Sequence, residues 1–132
     1  MSWSHIIKHL FALIGVIAGA VWGNMDSLLL ALIIFVVIDY ITGVFDAIYT
    51  KSLSSEVGFK GIIKKVIIFV LVAVGNVIDV YVIKQGASVR TMVIFFYLAN
   101  EGISILENVV KLDIPVPDKL YDILKHLDEN NS

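Results

Sequence analysis

Five acidic side chains lie inside stretches of this chain that are otherwise suited to oil: Asp39 and Asp46 in one apolar segment, Asp79 in another, Glu101 and Glu107 in a third. A carboxylate at bilayer depth costs several kcal/mol unless it is neutralised, paired or wetted, so a short chain that keeps five has a use for them. They restrict the fold to arrangements in which the acid-bearing helix faces meet protein or water inside a membrane.

The composition agrees with that restriction. Of 132 residues, 58% are apolar and 17% charged, with a mean hydropathy of +0.90, which reads as one small integral membrane protein rather than a water-soluble domain. The apolar runs do not alternate every second residue, which argues against a transmembrane barrel. Without cysteine there is no disulfide framework, thiolate metal site or cysteine nucleophile. A net charge of −2 gives no reason to expect nucleic acid as a partner.

The expected fold is all-α: about four transmembrane helices, three if the first segment does not cross, and a short C-terminal amphipathic helix. The spans fall at about 8–23, 28–49, 64–83 and 91–111 of a transmembrane domain covering 1–112, followed by a cytoplasmic tail over 113–132. Length alone leaves the first segment as a tilted span, a half-inserted arm or a cleavable signal, the last drawing on Lys8 and Ala18-Gly19-Ala20. Asn24, Asp26 and Ser27 form a polar break that makes the first two segments an antiparallel pair. The stretch 50–65 carries Lys51, Lys60, Lys64 and Lys65 against Glu56 alone and reads as a basic cytoplasmic loop. Placing the N-terminus, this loop and the tail in the cytoplasm puts eight basic residues inside and two, Lys84 and Arg90, outside, so both termini are expected to be cytoplasmic. Pro115 and Pro117 stop the last span. Beyond them Leu120, Ile123, Leu124 and Leu127 recur at helical spacing, with Lys119, Asp122, Lys125 and Asp128 on the other side, a helix suited to the membrane surface or to a neighbouring helix. The residues from Asp128 to Ser132 are expected to be disordered.

Three polar patches follow from helical spacing. Asp39, Thr42, Gly43 and Asp46 share one face of the second span, and Asn100, Glu101, Ser104, Glu107 and Asn108 run along one stripe of the fourth. Asn76 and Asp79, beside Gly75, make a shorter patch in the third. These ten polar residues are the candidate pore-lining set. Asp39 and Glu101 fall near mid-bilayer with no lysine or arginine at that depth, so each is expected to be protonated, hydrogen-bonded to a neighbour, or wetted in an assembly. The plainer reading is that acids and amides only bind helices together. Gly15, Gly19 and Gly23 form a smooth ridge along the first segment, for packing against the second helix or against another copy, and Gly43 and Gly75 are further close-packing positions. His5 and His9 lack a third ligand and make no metal site, while Trp3 and Trp22 suit interfacial anchors. No phosphate loop, nucleophile elbow or dinucleotide fingerprint is present, so neither an enzyme nor a cofactor is expected.

The string Asp39-Tyr40-Ile41-Thr42-Gly43, then Leu53-Ser54-Ser55 with Gly58, Gly61 and Lys64-Lys65, resembles the phage-lysis and toxin-secretion holin family. So do Asn100-Glu101-Gly102-Ile103-Ser104-Ile105-Leu106-Glu107-Asn108 and Pro115-Val116-Pro117, and the resemblance runs from about Asp39 to Leu124. Asp113 stands where members often have glycine. The resemblance implies a homo-oligomer in the bacterial host cytoplasmic membrane that opens pores or lesions, releasing a peptidoglycan hydrolase or a toxin and leading to host cell lysis. That hydrolase or toxin is then a functional partner without necessary direct contact, and the lipid bilayer is the other. Two readings from other classes stand beside it: an ion or proton channel or transporter subunit that uses the acids as a path, and a membrane scaffold that recruits a partner through 50–65 or the tail.

Overall fold

The structure, a computed structural model, describes residues 2–129. Among the described residues there are five helices and no strand: α1 Trp3–Trp22, α2 Ser27–Tyr49, α3 Ser55–Val77, α4 Ser88–Lys111 and α5 Asp118–Glu129. The last turns of α3 widen into a π-helical continuation, Ile78–Ile83. The first four helices are long and apolar enough to cross a membrane.

Two helix boundaries lie outside their expected places, for the same reason. α1 starts at Trp3 and has 20 residues, about 30 Å at 1.5 Å per residue, enough for a full span. Its first turns carry Ser4, His5, Lys8 and His9, polar side chains that a hydropathy reading discounts but that can reach the membrane surface from a helix end. α3 starts at Ser55, not at 64: the Ser54 hydroxyl accepts from the Val57 amide at 3.1 Å, and Glu56 sits in the first turn, where a carboxylate complements the helix dipole. The expected loop over 50–65 therefore shrinks to a turn, and Lys60, Lys64 and Lys65 are helical. At the start of α2, Asp26 caps the helix by accepting from the Leu29 amide at 2.9 Å.

The apolar core is shared by α2, α3 and α4: Leu29, Leu32 and Val36 meet Ile68, Val72, Ile94 and Leu98. Leu32, Val72 and Ile94 are fully buried. α2 and α4 form the most extensive pair, and α1 packs on α3 while its backbone stays apart from that of α2. The expected pairing of α1 with α2 is thus replaced by a groove of about 600 Å³ between them, lined among others by Gly15, Gly19, Leu29 and Phe69. No residue of α1 is buried. Outward-facing Ile34, Ile41, Phe45, Ile62, Val70 and Val74 leave the spans with an apolar exterior, which suits lipid and would be an aggregation hazard in water.

After α4 the chain reverses. Asp113 adopts φ 65°, the left-handed region that favours glycine, and its carboxylate accepts from the Tyr49 hydroxyl at 2.8 Å. Past Pro115 and Pro117, α5 returns along α4. Leu124 lies directly over Gly102, where an added Cβ would stand 2.6 Å from Leu124 Cδ2 and 3.1 Å from Phe35 Cε2. Asp128 and Glu129 form the last described turn of α5 rather than a disordered end, and 130–132 lie outside the described residues.

Candidate functional site

Two buried acids and one half-buried lysine, from three helices, converge at one level of the bundle. Lys65 Nζ of α3 donates to Asp39 Oδ2 of α2 at 2.6 Å, and to Glu101 Oε1 and Oε2 of α4 at 3.1 Å each. Asp39 is 6% and Glu101 5% exposed. The other oxygen of Asp39 accepts from Asn108 Nδ2 at 2.9 Å. That amide also donates to the Asp39 carbonyl and to Thr42 Oγ1, and the Thr42 hydroxyl donates back to the Ile38 carbonyl at 2.9 Å. Every member of the cluster has a partner, as a polar network away from water requires.

Lys65 corrects the expectation that no basic residue reaches the depth of the acids: expected in a cytoplasmic loop, it instead bonds to both of them. The signal was a register. Asp39, Lys65 and Glu101 each stand ten residues from one end of their helices, at Tyr49, Ser55 and Lys111, so all three sit about 15 Å in. A start of α3 at 64 would place Lys65 at the membrane edge; the start at Ser55 brings it level with the acids.

Beside the cluster a cleft of about 210 Å³ opens between α2 and α3, lined by Asp39, Tyr40, Gly43, Lys65, Ser104 and Asn108 among others. Tyr40 packs over Gly58 and Gly61, its hydroxyl 3.5 Å and its ring edge 3.6 Å from where their Cβ atoms would be. Gly43 faces Asn108 in the same way. Towards the Lys111 end, Asp46 has one oxygen 4.0 Å from Lys111 Nζ and the other buried without a hydrogen bond among the described residues.

The stripe expected along α4 divides in two. Glu101 is buried, Ser104 and Asn108 are half-buried, and Asn100 and Glu107 are exposed. Adjacent helical residues point about 100° apart, so Asn100 and Glu107 share an edge that the Lys65 cluster does not use.

The third patch does a different task at the other end of the bundle. Asp79 is 1% exposed and caps α4, accepting from the amides of Val89 at 3.0 Å and Arg90 at 2.8 Å. Gly75 allows that approach, since its Cβ would meet Arg90 Cα at 3.1 Å. Arg90, 4% exposed, then reaches the turn after α1: Nε donates to the Trp22 carbonyl at 2.8 Å, Nη1 to Asp26 Oδ2 at 2.8 Å and Nη2 to the Asn24 carbonyl at 3.1 Å. Asn76 Nδ2 donates to the Val21 carbonyl at 3.0 Å. Trp22 is not a simple interfacial anchor, because its indole N–H donates to the Phe69 carbonyl at 2.7 Å. Gly23, at φ 82°, is required here twice, since a Cβ would also stand 2.9 Å from Asn76 Oδ1. These bonds clamp the C-terminal end of α1 to α3 and α4, whereas among the described residues nothing lies within 4 Å of where a Cβ would stand at Gly15 or Gly19. The glycine ridge therefore does not pack on α2.

The Arg90 guanidinium beside Asp26 holds its carboxyl below the ordinary value of 3.8. With the folded value depressed, the stability from this pair is complete above the ordinary value and is lost as pH falls through the folded one. Asp26→Asn is therefore expected to lower the melting temperature equally at about pH 5 and about pH 8, with the gap closing below about pH 4. A gap that changes between the two higher values, in thermal melts of detergent-solubilised protein, would refute this account of the clamp.

The bacteriophage holin family matches residues 5–129 of the chain. A probable holin of Bacillus phage phi105 is 32% identical over 123 residues, covering 83% of this chain and 90% of the relative. An uncharacterised protein of Listeria monocytogenes is 46% identical over 110 residues, 83% of this chain and 78% of its own. An uncharacterised 14.9 kDa protein of Clostridium perfringens is 40% identical over 107 residues, 81% of each chain. No solved structure matches. With a family match across nearly all its length and four helices fit to span a bilayer, the chain belongs to the bacteriophage holin family and is an integral membrane protein.

Proposed function

We propose that the protein acts as a holin: copies oligomerise in the host cytoplasmic membrane and open pores or lesions through which a peptidoglycan hydrolase or a toxin passes, with no covalent chemistry and no cofactor. The observation that carries the reading is the Asp39–Lys65–Glu101 cluster, two acids and one base at mid-depth in a membrane protein whose relatives include a probable holin. Its charges do not cancel when all three are ionised. Such a group is held in a dry bundle by a narrow margin and gains when water reaches it, so closed and wetted packings lie within a few kcal/mol of each other. The membrane potential can bias the choice, at about 2.3 kcal/mol per elementary charge moved across 100 mV. The distribution of basic residues supports cytoplasmic placement of the N-terminus and of the 113–132 tail as it leaves α4. The free Gly15 and Gly19 ridge supports contact between copies.

Induced expression in bacteria, with and without a co-expressed peptidoglycan hydrolase, tests the reading. Viability should fall abruptly in both cultures and optical density should collapse where the hydrolase is present. Cells that keep their ion gradients at high expression, or that show only small discrete conductances and retain folded hydrolase, would overturn it. Asp39→Leu or Glu101→Leu is expected to delay or abolish permeabilisation while membrane insertion persists, read as onset time at matched protein level; an unaltered onset would remove both residues from the mechanism.

A further inference from the structure

α5 lies where a charged helix has no place in a lipid-surrounded protomer. Gly102, on which Leu124 sits, is nine residues from the Lys111 end of α4, and so about 14 Å into the span. Further along, Asp128 borders a cavity with Gly75, Val93 and Tyr97, near the opposite end of α4. α5 thus runs beside α4 through much of the bilayer's depth. Tyr121, Leu124 and Leu127 are half-buried, while Lys119, Asp122, Lys125, His126 and Glu129 are exposed, together with Leu120 and Ile123. The outward faces of α1 to α4 are predominantly apolar over the same depth, with Lys64 and Asn100 as single polar exceptions. Lipid can cover those faces, but a row of ionisable side chains at that level requires water.

We propose that α5 is the water-facing lining of the assembled state: docked on the Gly102 and Phe35 seat, it presents its charged face to an aqueous lumen shared by several copies. In a dispersed protomer the same helix lies off this seat, on the cytoplasmic surface, where its amphipathic pattern is also satisfied. The seat is specific. A Cβ at residue 102 would displace the tip of Leu124 and crowd the Phe35 ring, and Pro115 and Pro117 after the left-handed Asp113 supply the reversal that brings α5 back. Docking of α5 is thereby coupled to assembly, and the lumen surface is a segment distinct from the Lys65 cluster. This inference rests on the holin reading.

The chain has no cysteine, so paired cysteines can report the docked state. Gly102→Cys with Leu124→Cys is expressed in bacteria, and disulfide formation by a membrane-permeant oxidant is followed before and after the onset of permeabilisation. The expected result is little intramolecular cross-link before onset, a rise in step with it, and immediate permeabilisation when the cross-link is imposed early. Phe35→Cys with Leu124→Cys, bridged by a bifunctional thiol reagent because Phe35 reaches the seat only with its ring edge, repeats the test with Gly102 intact, should the first pair fail to insert. Equal cross-linking before and after onset, or full permeabilisation with no cross-link in either pair, would overturn the assignment. Failure of the unaltered chain to permeabilise at all would instead remove the holin reading, so the two failures are distinct.

Discussion

Lys65→Met is expected to destabilise the closed protomer by about 3–5 kcal/mol, the usual range for removing one partner of a buried ion pair, and to bring permeabilisation forward. The ammonium is the shared donor to Asp39 and Glu101. Without it two carboxylates face each other, with Asn108 still donating to Asp39. Water then becomes the better partner, which shifts the balance towards the wetted packing. The sign is opposite to that expected for Asp39→Leu, which removes a charge that seeks water. If the cluster were only a structural staple, removal of the base and removal of an acid would damage the same closed bundle in the same way. The triple variant Lys65→Met, Asp39→Asn, Glu101→Gln should recover most of the stability, because no charge is left unpaired. Denaturant titration in detergent gives the stability and culture collapse gives the onset. Delayed onset in Lys65→Met, with normal insertion, would refute the mechanism.

How far the sequence disclosed this site depends on which physical rule each residue obeys. The apolar runs gave four helices because a spanning backbone has to satisfy its own hydrogen bonds, and the two prolines with the 120–127 periodicity gave the start and amphipathic character of α5. Asp39, Glu101 and Asn108 were legible as polar residues at helical spacing. Lys65 was not, because hydropathy assigns a cluster of lysines to a loop, while the Ser54 cap and Glu56 extend the helix beneath them. The posture of α1 was hidden for a related reason: a short polar turn predicts two helices that pack together, whereas Asn76, Trp22 and Arg90 bond α1 elsewhere across 55, 47 and 68 residues of chain. No local pattern carries bonds of that separation. Gly102 had a visible signal, a glycine midway along an apolar helix, but the side chain that it admits comes from α5, and amphipathicity alone fits a membrane surface equally well.

Arg90→Met is expected to release α1 from the bundle. α1 buries no residue, so its attachment depends on the polar clamp at its C-terminal end far more than on apolar packing. Arg90 supplies bonds to the Trp22 and Asn24 carbonyls and to Asp26. Removing them should weaken the docking of α1 by about 3 kcal/mol, the lower end for a broken buried pair, because the Asp26 side chain is 45% exposed and can turn to water. Spin labels at Ile7 and Val66, both on exposed positions of α1 and α3, should show one narrow distance distribution in the parent protein and a broad one in Arg90→Met. Arg90→Lys should restore little, since a single ammonium cannot reproduce a planar fork that reaches three acceptors in different directions. An unchanged narrow distribution in Arg90→Met would mean that Trp22 and Asn76 suffice to hold the helix; recovery by lysine would mean that charge, and not the directed hydrogen bonds, secures it.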